Sequence, residues 1–264
     1  MSAPQNGSST TTIIQTALDE NTDKRDVVGF LKRQVQQSLA FGTLIVLVIF
    51  FSIASPNFFT FSNIATVLLS TAVIGILALG TTFVIITGGI DLSIGTGMAL
   101  CAVMTGVIVT NLGLPVWLGV IGGIATGVLM GLVNGINITF LRLPPFIATL
   151  AMMMIAGGLA LVISNVAPIY FSTSAPDFKK IALGVIIPGI PNAVLITAAL
   201  AIVAWLVLSK TLLGRYTFAI GSNEEATRLS GVNTRRWTIF IYMFAGAFTG
   251  IAGIVIAALS LIHI

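Results

Sequence analysis

Long apolar runs separated by short polar breaks dominate the chain after about residue 38. Residues 34–90 and 92–141 contain no charged side chain, and each run has room for two membrane spans of about 20 residues. Residues 57–60, just after Pro56, provide a turn within the first run, and residues 113–115 divide the second. The pattern therefore predicts four spans in the first half of the chain.

Three further apolar segments run from about 146 to 164, 193 to 209 and 238 to 258. The stretch 165–191 carries charges and prolines and is predicted to be a loop. Seven spans in total predict an all-α fold, a polytopic transmembrane helical bundle.

The composition supports a membrane protein. Only 8% of the 264 residues are charged and 56% are hydrophobic, whereas soluble domains carry about 25% charged residues. Eight of the charges lie within residues 1–37, which we predict to be a polar cytoplasmic tail preceding a transmembrane domain at 38–258. The remaining bases are scattered and form no basic face, so nucleic acid is not an expected partner.

The distribution of Lys and Arg predicts the orientation. With the N-terminus in the cytoplasm, the inner segments hold ten bases and the outer segments two. The inner bases are Lys24, Arg25, Lys32, Arg33, Arg142, Lys210, Arg215, Arg228, Arg235 and Arg236, and the outer ones are Lys179 and Lys180. Seven spans would then leave the C-terminus outside.

The segment 87–95 places an acid and several glycines between two apolar spans. Gly88 and Gly89 favour a helix break, which frees backbone groups to bind a polar solute or to pack against protein. Asp91, followed by Ser93, has three open roles: a cap for the following helix, a part of the translocation path, or an ion site.

The loop 210–237 contains the pattern of a short amphipathic helix. Ser222 is predicted as the N-cap, with Glu225 as the third residue of a capping box. Ala226 and Leu229 share one face, Glu224 pairs with Arg228 at i,i+4, and Gly231 ends the helix. A helix of about eight residues needs a cover for its apolar side: this chain, the lipid surface or a partner.

Two features of the fourth span are unusual for an apolar helix. Glycines recur every four residues at Gly119, Gly123, Gly127, Gly131 and Gly135, which predicts a smooth face for close helix packing or for sliding during transport. Asn134 and Asn137 are expected to bond across helices or to line a polar path. Arg142 is a predicted inner anchor, and Pro144 with Pro145 can start the next helix.

Several chemistries lack their motifs. There is no P-loop pattern and no H-E-x-x-H, and the single histidine is His263, so neither ATP binding by a P-loop nor a histidine-based metal site is predicted. We expect the chain itself to have no catalytic residue and no cofactor.

Three ordered motifs resemble the permease subunits of bacterial ABC sugar importers of the ribose, xylose, arabinose and galactoside type. Residues 87–95 (TGGIDLSIG) are similar to the first signature of that family, and residues 143–150 (LPPFIATL) to its middle segment. Residues 214–226 (GRYTFAIGSNEEA) with 228–231 (RLSG) resemble its ATPase-facing loop, and the match covers about residues 50–258.

The resemblance implies a type II importer: two permease subunits as a homodimer or heterodimer, two ATPase subunits that carry ATP and Mg²⁺, and a periplasmic sugar-binding protein. The whole would lie in the bacterial inner membrane. Residues 223–230 would be the coupling helix that docks on the ATPase. The family has about ten spans and continues beyond the coupling loop, so we expect an incomplete permease with a non-native tail at 259–264.

Two alternatives remain open at this point. An ion-coupled secondary transporter would use Asp91 and stop when the ion gradient collapses. An assembly or scaffold protein would carry no solute at all.

Overall fold

The computed structural model describes residue 39 and residues 41–171 and 175–259. Its contacts divide the chain into one unit at 1–64 and a second at 65–264. The predicted tail 1–37, and the predicted non-native tail apart from Leu259, lie outside the described residues.

The first unit contains helix α1, Phe41–Ala54, followed by a turn at residues 56–59. The predicted turn after Pro56 is therefore confirmed. Thr60 begins the next helix, because its hydroxyl accepts a hydrogen bond from the Asn63 amide at 3.4 Å. The described part of α1 has 14 residues, which is shorter than a span, and residues 38 and 40 of the predicted first span lie outside the description.

The remaining helices follow the predicted breaks, except that residues 180–183 and 212–222 are helical within the stretches 165–191 and 210–237, which were predicted as loops. They are α2 (Phe61–Ile86), α3 (Ile94–Gly106, continued as a π-helical turn Val107–Asn111), α4 (Val116–Thr139), α5 (Pro145–Ser164), α6 (Lys180–Leu183), α7 (Asn192–Lys210), α8 (Leu212–Leu229) and α9 (Thr234–Leu259). Six of them, counting α3 with its π-helical turn, are long and apolar enough to cross a membrane: α2, α3, α4, α5, α7 and α9. These six agree with predicted spans two to seven, and the described residues contain no named β-strand.

Glycine and proline end or start helices where the sequence predicted breaks. Gly88 follows α2 with φ of +78°, and Gly113 follows the π-helical turn with φ of +65°. Pro145 is the first residue of α5, where its missing amide hydrogen costs nothing.

Helix α9 forms the core of the second unit and packs mainly on α3 and α4. All five glycines of the strip in α4 are buried. A Cβ atom at Gly127 or Gly131 would overlap the backbone of α9 at Gly246 and Tyr242, and one at Gly135 would lie 2.7 Å from the Cα atom of Ile239. The smooth face of α4 thus allows direct backbone contact with α9.

The segment 165–191 is more structured than the predicted loop. After α5 ends at Asn165 in the left-handed conformation, a 3₁₀ turn at Pro176–Lys179 leads into α6. Phe178 is 1% exposed and stacks on Phe171 with ring centroids 4.0 Å apart. The stacked pair stabilises the fold of this connection.

Candidate functional site

A cavity of about 720 Å³ opens at one end of the second unit. Its lining comes from the end of α2, the connection between α4 and α5, the end of α8 and the start of α9. The residues are Thr87, Gly88, Gly89, Ile138, Thr139, Arg142, Leu143, Pro145, Ile220, Glu224, Glu225, Arg228, Thr234, Arg235, Thr238 and Tyr242. Parts of all three sequence motifs therefore meet at one cavity.

Helix α8 is two helices joined at a kink. Asn223 has φ of −161° and ψ of +101°, an extended conformation that interrupts the helix. Its side-chain oxygen accepts the Ala226 amide at 2.9 Å, which makes Asn223 the N-cap of the short helix 224–229. The prediction of Ser222 as N-cap was wrong by one residue, because the extended backbone conformation falls on its neighbour.

The short helix ends in a Schellman motif. The Gly231 amide donates to the Arg228 carbonyl at 3.0 Å, and the Val232 amide to the Thr227 carbonyl at 3.4 Å, with Gly231 at φ of +87°. Asn233 then caps α9, since its side chain accepts the Arg236 amide at 3.1 Å. Only four residues, 230–233, separate the short helix from the core helix.

The ion pair of the short helix differs from the prediction. Arg228 contacts Glu225 at 2.6 Å, an i,i+3 pair, and not Glu224 at i,i+4. The hydrogen bond that Arg228 donates to Glu225 and the negative charge of Glu225 raise the pKa of Arg228 above its ordinary value, with a smaller contribution from the charge of Glu224. The pair is exposed and adds little to stability.

The apolar residues of the short helix point away from the described part of the chain. Ala226 is exposed and Leu229 is 78% exposed, whereas Thr227 on the other face is buried. The described residues thus leave the apolar face uncovered.

The segment 87–93 is held by a chain of polar contacts. Asp91 accepts hydrogen bonds from the amide of Ser93 at 2.8 Å and from its hydroxyl at 2.6 Å. Asn134 of α4 donates to the same Ser93 hydroxyl at 3.1 Å. The predicted cap is corrected in detail, because Asp91 binds the residue before α3 and no amide of α3 itself. Burial raises the pKa of Asp91, and the two bonds from Ser93 oppose this.

Other residues of the three motifs lie either near this series of hydrogen bonds or apart from it. Thr149 of α5 accepts the Leu92 amide at 3.2 Å, so the middle motif supports the first one. Asn137 is half-buried and is absent from the cavity lining, and its carbonyl accepts the Leu143 amide at 3.3 Å. Arg142 lines the cavity with a positive φ of 55°, which is uncommon for a residue with a side chain.

The structure also brings in residues that the sequence did not single out. Tyr242, Thr139, Thr234 and Thr238 line the cavity beside Gly88 and Gly89. A tyrosine or threonine within an apolar run is ordinary, so only the helix packing identifies them. Within the described ranges no group of three or more metal-ligating side chains occurs.

Comparison with known proteins places the chain in a family. The family model described as "Branched-chain amino acid transport system / permease component" matches residues 63–263. No solved structure gives a significant match.

Individual relatives are named as sugar permeases. The ribose import permease protein RbsC of Escherichia coli (strain K12) is 37% identical over 228 residues, which cover 86% of this chain and 70% of the relative. RbsC of Bacillus subtilis (strain 168) is 39% identical, covering 85% and 69%. The L-arabinose transport system permease protein AraH of E. coli (strain K12) is 40% identical, covering 83% and 66%.

These names give no support to the ion-coupled alternative based on Asp91. They agree with the resemblance carried by the three motifs and with the apolar helices that can span a membrane. The chain belongs to the family of multi-pass permease subunits of ABC sugar importers.

Proposed function

We propose that this chain translocates a monosaccharide or a related polyol across the bacterial inner membrane as the permease subunit of an ABC importer. A separate ATPase subunit binds ATP and Mg²⁺ and drives transport, and a periplasmic binding protein delivers the sugar. A second permease copy completes the pathway. The N-terminus is cytoplasmic, which the excess of inner Lys and Arg supports.

One observation carries the proposal: the short helix 224–229 stands at the cavity with its apolar residues uncovered. Leu229 is 78% exposed, although it belongs to a helix fixed at both ends by Asn223 and Gly231. A rigid, exposed helix with an apolar tip and charged flanks fits a groove on a partner protein. We assign this groove to the ATPase.

The short helix 224–229 is connected to two other parts of the fold through which its movement can be transmitted. Gly221, just before the kink, packs so closely on the end of α2 that a Cβ atom would overlap the Ile86 carbonyl. On its other side the helix leads through residues 230–233 into α9. Movement of the short helix with the ATPase would therefore displace both the segment 87–93 and the core helix.

The test compares two acids in equivalent ion pairs. In proteoliposomes with the ATPase subunit and the binding protein, Glu225→Lys or deletion of 222–230 should abolish ATP-dependent uptake while the protein stays in the membrane. Asp177→Lys, which also breaks an exposed i,i+3 pair, should leave ATPase association intact. Labelled ribose, arabinose and leucine serve as solutes.

Normal sugar uptake by the Glu225→Lys variant would contradict the coupling role. Uptake of leucine in place of either sugar would contradict the proposed solute class.

A further inference from the structure

Tyr242 combines deep burial with an unused hydroxyl. It is 1% exposed, and its hydroxyl oxygen has no hydrogen-bond partner among the described residues. A Cβ atom at Gly89 would lie 2.6 Å from that oxygen, so the hydroxyl rests directly on the glycine of the first motif. The residue also forms part of the wall of the 720 Å³ cavity.

Asn134 provides a second unused atom on the adjoining helix. It is 1% exposed, and its amide nitrogen donates to Ser93, but its oxygen has no partner within the described ranges. One turn earlier in α4, Gly131 packs against the backbone carbonyl of Tyr242. The two unused atoms thus belong to the most closely packed helix pair of the second unit.

Buried polar atoms without a hydrogen-bond partner destabilise a fold. A buried donor or acceptor without a partner has lost its hydrogen bonds to water without replacement, and the large majority of buried polar side-chain atoms in folded proteins have a partner. The Tyr242 hydroxyl lies in the cavity wall, where a ligand can complete its bonding. A tyrosine hydroxyl can donate and an amide oxygen can accept, and a hydroxyl group of a solute does both.

The surroundings disfavour an anionic ligand. Asp91 binds Ser93, which in turn accepts from Asn134, so a carboxylate lies two hydrogen bonds away from the amide. A carboxylate near the site would repel an anion but leaves a sugar hydroxyl unaffected.

We propose that the Tyr242 hydroxyl binds a hydroxyl group of the transported sugar where its path reaches the cavity. This inference rests on the proposed function and adds a contact site to it. A side chain at Gly89 would collide with the tyrosine hydroxyl at this position.

The test is Tyr242→Phe, which removes one oxygen and keeps the ring. In proteoliposomes with the ATPase and binding protein, KM for the sugar should rise about fivefold, the factor for one neutral hydrogen bond, while the maximal rate changes less. Tyr170→Phe is the control, because Tyr170 is an exposed residue of the connection 165–191 and lies outside the cavity lining. Its KM should equal that of the wild type.

Deoxy sugars separate a direct contact from a structural role. An analogue lacking the contacted hydroxyl should have the same KM with the wild type and with Tyr242→Phe. An unchanged KM for the full sugar in Tyr242→Phe overturns this inference alone. Absence of sugar uptake by the wild type overturns the proposed function and this inference with it.

Discussion

Helices α7 and α9 are equally apolar, but α9 is largely buried and α7 is largely exposed. The most apolar 18-residue stretch of each helix has a mean hydropathy of 2.2. In α9 61% of that stretch is buried, whereas in α7 only 11% is buried. The difference lies in small residues. Gly246, Gly250 and Gly253 of α9 meet the backbones of α3 and α4, whereas α7 buries only Ala193 and Ala204.

This contrast shows what hydropathy measures. Lipid tails are as apolar as a protein core, so hydropathy indicates which helices enter the membrane and not which ones pack together. Close packing needs surfaces on which backbones can approach. In this chain the glycine strip of α4 and the small residues of α9 supply them.

The largest effect should come from filling the interface between α4 and α9. Gly131→Leu would force a side chain into the backbone of Tyr242, and we expect a loss of about 3 kcal/mol or more. Ala199→Leu on the exposed side of α7 should be tolerated. Thermal unfolding can be followed by labelling Cys101, the single cysteine, which is buried in α3. Equal stability of the two variants would contradict the conclusion that α9 is closely packed and α7 is not.

A smaller effect is expected from removing side-chain volume at matched isoleucines. Ile254→Ala in α9 leaves a cavity beside Gly123 and should cost about 2 kcal/mol. Ile202→Ala in α7 removes a side chain that is 59% exposed and should cost much less, because no cavity forms. The same Cys101 labelling measures both. A larger loss at Ile202 would reverse the assignment of core and periphery.

The smallest effect concerns α8, which connects the two helices. Asn223→Ala removes the cap of the short helix and should destabilise it by about 1 kcal/mol. Ser222→Ala should have little effect. Hydrogen exchange of the amides at 224–229 reports the difference directly. Faster exchange in Ser222→Ala than in Asn223→Ala would restore the N-cap predicted from the sequence.

Much of the fold followed from the apolar pattern, because charge-free runs and glycine or proline breaks are local signals. The short helix was also predicted, but its N-cap was not, since Ser222 and Asn223 are both good caps and only the backbone conformation distinguishes them. Tyr242 gave no signal at all. Its importance depends on the approach of α9 to Gly89 and Gly131, residues more than 100 positions away.

The most direct test of the account asks which end of the molecule contacts the proposed ATPase partner. Leu229 on the short helix and Ile186 in the connection 165–191 are both 78% exposed, and a photo-crosslinking amino acid can replace either one. With the ATPase subunit and the binding protein present, the account predicts a crosslink to the ATPase from position 229 and none from position 186. A crosslink to the ATPase from position 186, or none from position 229, would contradict it.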